Sequence, residues 1–177
     1  MNKQSLHTLL CAVTEQQKET GQHYISYHRL HRALSTGPSL NEAEKETLWL
    51  SPAARRKFCQ ARKTVLNTAR QQWHKNGLDT PQQRLAASSE QSRYDILYEG
   101  YRVILEQERD NWVISLVLSA QVLDQIPVWA EIMLVDEQGE VWLQGCPNGG
   151  PDMMSEWQLG TAISSYVSRS VRLQLEH

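Results

Sequence analysis

The chain has 177 residues, room for one domain of ordinary size or two small ones. Its 40% hydrophobic and 21% charged residues are those of a soluble globular protein. No apolar run is long enough to span a bilayer, so no membrane role is expected. The formal net charge of −2 hides an asymmetry. Residues 1–75 hold twelve Lys and Arg against five Asp and Glu, a net of +7; the remainder holds six Arg and fifteen acids, a net of −9. Such a split points to an anionic partner for the first half, or to attraction between the halves.

In chain order, residues 5–19 read as a helix. Leu6, Leu9, Leu10 and Val13 make an apolar stripe, with Ser5 as N-cap and Gly21 as a stop. The Leu9-Leu10-Cys11 run is too short for a lipoprotein signal, and Leu10 stands where a small residue belongs, so a cytoplasmic location is expected. A second helix covers residues 26–34 and ends at Ser35-Thr36-Gly37-Pro38. A third starts at Ser39, with Glu42 completing a capping box and Leu40, Ala43, Leu48 and Trp49 facing inward. Ser51 caps a fourth, from Pro52 to His74, with proline at the first helical position. On that helix Ala54, Phe58, Ala61, Val65, Ala69 and Trp73 form one stripe at about 100° per residue. Arg55, Arg56, Arg62, Lys63 and Arg70 gather on the flank beside it.

Residues 77–92, marked by Asp79, Thr80, Pro81, two Gln, Ser88 and Ser89, read as a linker with a short helical turn at 82–87. Residues 93–98 alternate as an edge strand, and Gly100 breaks it. Residues 101–107 and 112–118 read as a hairpin around Arg109-Asp110-Asn111, followed by a crossing connection over 122–127. Residues 128–135 and 140–144 are strands joined by the Asp136–Gly139 turn. Val128, Ala130, Ile132 and Leu134 share one face; Trp129, Glu131, Met133 and Val135 share the other. Residues 145–151 read as a loop, and 157–159 and 162–173 as the last strands. Leu175-Glu176-His177 looks like a cloning remnant and is set aside. The expected fold is α+β: a basic helical region of three to four helices (1–76), a linker (77–92), and an acidic all-β domain (93–174) built as an antiparallel β-sandwich or open barrel.

Motifs for chemistry are sparse. Neither GxxxxGK[ST] nor GxGxxG occurs, and GxSxG is missing as well. His7 and Cys11, at i and i+4, are a candidate metal pair that Cys59, His23, His28 or His31 could complete. The HxxxC spacing of His7 and Cys11 resembles part of the zinc-binding anti-sigma pattern, which implies sequestration of a sigma factor. Position 14, where a further cysteine belongs, is Thr14. A buried thiol and a solvated histidine account for the pair more simply, so no cofactor is expected. His28 and His31 lack a paired carboxylate or nucleophile, and the neighbouring Arg29 and Arg32 disfavour a cation. Three widely spaced cysteines, Cys11, Cys59 and Cys146, make no disulfide framework. Trp129, Trp142 and Trp157 could stack on sugars, though tryptophan more often fills a core.

The expectation is a non-enzymatic bacterial regulatory or adaptor protein. It would hold an acidic protein through Arg55, Arg56, Arg62, Lys63 and Arg70. The alternative is a nucleic-acid-binding protein using the same cations on phosphates. A helix–turn–helix reading is disfavoured, because its recognition helix would carry Glu42, Glu44 and Glu46.

Overall fold

The computed structural model describes residues 24–35, 37–82, 84–90, 92–147, 150–160 and 162–176. The expected helix over 5–19, with His7 and Cys11, lies outside them, as does His23. The described residues form five helices and eight strands in antiparallel sheets, helices first, with no closed barrel. The chain divides into two compact units at Thr64/Val65.

In the first unit, α1 is Tyr27–Leu34, capped by the Ser26 hydroxyl, which accepts from the Arg29 amide. α2 is Glu42–Leu50. Its cap is Asn41, not Ser39: Asn41 Oδ1 accepts from Glu44 N at 2.8 Å, and Glu44 Oε2 accepts from Asn41 N at 2.9 Å. Glu44 also fixes which side of α2 turns inward. Its carboxylate takes Arg29 Nε and Nη2, each at 2.7 Å, while Arg29 reaches the carbonyls of Pro38 (2.9 Å) and Ser39 (2.8 Å). One bidentate arginine thus ties α1, the intervening turn and α2. Glu44, Thr47 and Leu48 are half-buried as a result, whereas Ala43 and Trp49, expected to face inward, are exposed. Buried apolar residues here are Ile25, Leu30, Leu34, Ala54 and Ala61.

α3, Pro52–Lys75, begins one residue after α2 and runs through the unit boundary. Its expected stripe is buried at Ala54, Ala61, Val65, Ala69 and Trp73, with Phe58 half-buried. Leu66, absent from that stripe, is buried as well.

In the second unit, the five-stranded sheet has the order β1-β2-β3-β4-β7 and the three-stranded sheet β6-β5-β8. The strands are β1 Ala86–Glu90, β2 Arg93–Leu97, β3 Tyr101–Glu108, β4 Asn111–Leu118, β5 Glu131–Asp136, β6 Val141–Gly145, β7 Asp152–Glu156 and β8 Val171–Glu176. Two short helices, α4 Ala120–Leu123 and α5 Ile163–Val167, connect them. Alternate residues of both sheets supply one core, among them Val103, Leu105, Ile114, Leu116, Ile132, Leu134, Leu173 and Leu175. Leu66, Ala69 and Trp73 of α3 join the same core. The C-terminal part of α3 therefore belongs with the strands, and the division falls before the expected boundary at 76.

Four further expectations change. The stretch 77–92 is not a plain linker. Leu78 O accepts from Leu173 N, Gln82 N donates to Val171 O, and Ala86–Glu90 pairs with β2, which is consequently not an edge strand. The strand expected from 128 starts at Glu131, because Ala130 N closes a turn on Pro127 O and leaves Val128 exposed. Residues 157–159 are not a strand, and the one expected over 162–173 is α5 followed by β8. Ile163, Val167 and Val171 are four apart, a spacing that fits one helical face as well as one strand face. Finally, Leu175 and Glu176, set aside as a cloning remnant, are the end of β8: they pair with Ile132 and Glu131, and Leu175 is only 3% exposed.

The hairpin expectations hold. β3 and β4 pair from Tyr101↔Leu118 to Glu108↔Asn111, and Arg109 takes a positive φ of 56° in the turn. Gly139 has φ 86° in the β5–β6 turn.

Candidate partner-binding surface

α3 carries seven cations, Arg55, Arg56, Lys57, Arg62, Lys63, Arg70 and Lys75, and no acid. The five side chains expected to form its basic edge are not equivalent. Arg55 bends back to the end of α2, where Nη1 donates to the Trp49 carbonyl and, at 3.4 Å, to that of Leu48. It caps carbonyls that the end of a helix leaves unbonded. Arg70 does similar work on β8, donating from Nε (3.0 Å) and Nη2 (2.7 Å) to Leu175 O and pairing with Glu176 at 3.2 Å. Arg62 is half-buried, with Nε shielded from solvent. Arg56 and Lys63 are exposed and make no hydrogen bond or ion pair among the described residues. They stand seven residues apart, about two turns, on one line of the helix. The expected strip thus resolves into an exposed pair, two structural arginines and one half-buried arginine. Leu66, buried in the core, lies between Lys63 and Arg70 along that flank.

Lys57 lies over the Tyr24 ring at 4.1 Å. Close by in sequence, Trp49 (82% exposed) and Leu50 (75%) end α2 with their side chains in solvent. Trp49, expected to face inward, is exposed because the Arg29–Glu44 contact turns another side of α2 to the interior.

The remaining candidates are dispersed. His28 is exposed and His31 half-buried, its ring 6.2 Å from that of Tyr27. Cys59 is an exposed free thiol and Cys146 a half-buried one. No group of three or more His, Cys, Asp or Glu side chains among the described residues is placed to hold a metal ion. Trp142 and Trp157 are buried and meet edge to face at 5.5 Å, so neither is a sugar platform; Trp129 is half-buried against the core.

Carboxylates with displaced pKa values each sit on an arginine. Glu44 is held low by the Asn41 amide and by Arg29. Asp95 is held low by Arg102, which binds it with two donors across β2 and β3. Asp136 is fully buried. Burial pushes its carboxyl up, but Arg169 at 2.6 Å, the amides of Glu140 (2.8 Å) and Gln138 (2.9 Å) and the Trp142 indole (3.3 Å) together hold it below the usual range. Arg169 also pairs with Glu140 and stacks 4.2 Å over Tyr166. Every oxygen of this buried group has a donor, as a charge-bearing corner requires. These shifts belong to clamps that hold turns and strands.

Compared with protein-family models, curated proteins and solved structures, the chain matches none. No helix among the described residues is long and apolar enough to cross a membrane.

Proposed function

We propose that this is a non-enzymatic adaptor or regulatory protein that holds an acidic protein partner through α3, with Arg56 and Lys63 as the contact charges. One observation carries the reading. α3 presents seven cations and no acid over 24 residues, and these two remain exposed while Arg55 and Arg70 brace the fold. A strip of this kind attracts carboxylates and speeds encounter more than it tightens the complex. Of the three glutamates of α2, Glu44 is bound to Arg29 and Glu42 to Lys45, so Glu46 alone of these is left to offset it.

Nucleic acid is the second reading, because the same cations suit phosphates. Anisotropy titrations of a glutamate homopeptide and a short DNA duplex against rising salt separate the two. The acidic-partner reading expects peptide binding that weakens several-fold in Arg56→Glu or Lys63→Glu, with little affinity for DNA. Tight, steeply salt-dependent DNA binding lost in the same variants would favour the second.

A further inference from the structure

We infer that Trp49 and Leu50 form the apolar anchor of this surface, a knob that enters a pocket rimmed by carboxylates on the acidic partner. The inference rests on the acidic-partner reading and adds to it where the contact is centred. Among the described residues, the exposed large apolar side chains are Tyr24, Trp49, Leu50, Leu85, Leu97, Val128, Val141 and Met154. Trp49 and Leu50 are the two that adjoin in sequence.

Three features set them as a rigid feature and not a frayed end. The inward side of α2 is committed to Glu44, Thr47 and Leu48 by the Arg29–Glu44 bond, which turns Trp49 and Leu50 outward. The corner itself is a single residue. Ser51 N donates to Thr47 O at 2.9 Å, and the Ser51 hydroxyl accepts from Ala54 N at 3.2 Å, starting α3. The guanidinium of Arg55 then braces the carbonyls of Leu48 and Trp49. Little order remains to be lost when such a tryptophan is buried, since its side chain has only two torsions.

Charge identifies the occupant. Glu46 lies one turn of α2 before the knob, but from Thr47 to Leu78 the chain has no acidic residue, and Arg55, Arg56 and Lys57 begin five residues after Leu50. Tryptophan and arginine are both enriched among the residues that carry binding energy at protein interfaces, where an apolar centre is ringed by polar groups. The complementary surface is an apolar socket edged by Asp and Glu. Polyphosphate surfaces lack that socket.

Two labelled peptides of equal net charge test this: a glutamate homopeptide, and one in which Leu and Phe alternate with Glu. The full chain should bind the mixed peptide at least roughly 30-fold more tightly. Trp49→Ala should weaken the mixed peptide roughly 30-fold, the scale of losing an interface hot spot, and leave the homopeptide unchanged. Leu50→Ala should act in the same direction. Arg56→Glu should weaken both peptides alike. Both apolar side chains are exposed, so the variants should keep the parent circular dichroism spectrum.

Equal binding of the two peptides, or a preference that survives Trp49→Ala, overturns the anchor while leaving the acidic-partner reading in place. Failure of both peptides to bind removes both. If Trp49→Ala instead turns a dimer into a monomer in sedimentation and leaves peptide binding alone, the knob serves self-association and the inference is wrong.

Discussion

Asp136 shows how much of this fold rests on single polar groups. Its carboxylate is fully buried and accepts from Arg169, two turn amides and the Trp142 indole, so one side chain closes the β5–β6 turn and anchors the loop before β8. Replacing it by Asn keeps the shape and removes the charge opposite Arg169. Asp136→Asn should cost about 3 kcal/mol in urea unfolding at neutral pH. The sign with pH follows from the lowered pKa. The stabilisation is present above the unfolded value of about 4 and is lost as pH falls through the folded value. The gap between parent and variant should therefore narrow below about pH 4; a gap independent of pH would mean that the charge is not what holds the corner. Gly100 is a second sensitive point. Its φ is 85°, and an added Cβ would lie 2.8 Å from Val122 Cγ2. Gly100→Ala should lower stability by about 1–3 kcal/mol in the same assay, and an unchanged midpoint would show that α4 yields easily.

At the scale of elements, arginines organise what apolar periodicity leaves open. Arg29 makes four bonds with geometry that only a guanidinium supplies. Arg29→Lys should accelerate hydrogen exchange of the α2 amides by roughly tenfold, corresponding to about 1–2 kcal/mol of local stability. Unchanged exchange in α2 would remove the latch from the account. Arg70 and Leu175 make a matching pair in the second unit. A chain ending at Gln174 loses the burial of Leu175 and the carbonyl that Arg70 caps, and should be about 2–4 kcal/mol less stable by thermal unfolding. A truncation without effect would restore the view that these residues are dispensable.

The same elements show where the sequence was informative. α1, α3, the β3–β4 hairpin and the Asp136–Gly139 turn were legible, since caps, helical spacing and turn glycines are local signals. β1 was missed because Ala86-Ala87-Ser88-Ser89-Glu90 has no apolar alternation; its residues are all exposed and its order comes from pairing with β2. α5 was read as strand because a four-residue spacing serves both periods. The inward side of α2 was misread because an ion pair fifteen residues apart, not hydrophobicity, sets it. For the candidate site, helical spacing puts the five cations on α3, which is a helix over Pro52–Lys75. The sequence had no means of separating Arg55 and Arg70, which bond to backbone carbonyls of α2 and of β8, from Arg56 and Lys63, which make no such bond among the described residues.

Across the whole chain, charge is distributed unevenly, and α3 carries exposed cations, Arg56 and Lys63 among them, after the exposed Trp49 and Leu50 that end α2. An adaptor needs this combination: charges that attract, and a rigid apolar side chain that gives the complex its lifetime. The central claim is that an acidic protein is held through Arg56 and Lys63. Affinity selection from the source cell's extract at low salt, comparing the parent chain with the Arg56→Glu/Lys63→Glu double variant and identifying bound proteins by mass spectrometry, tests it most directly. The account predicts an acidic protein that stays with the parent chain, elutes with moderate salt and is absent from the double variant. Retention of the same protein by the double variant, or recovery of nucleic acid in its place, would contradict it.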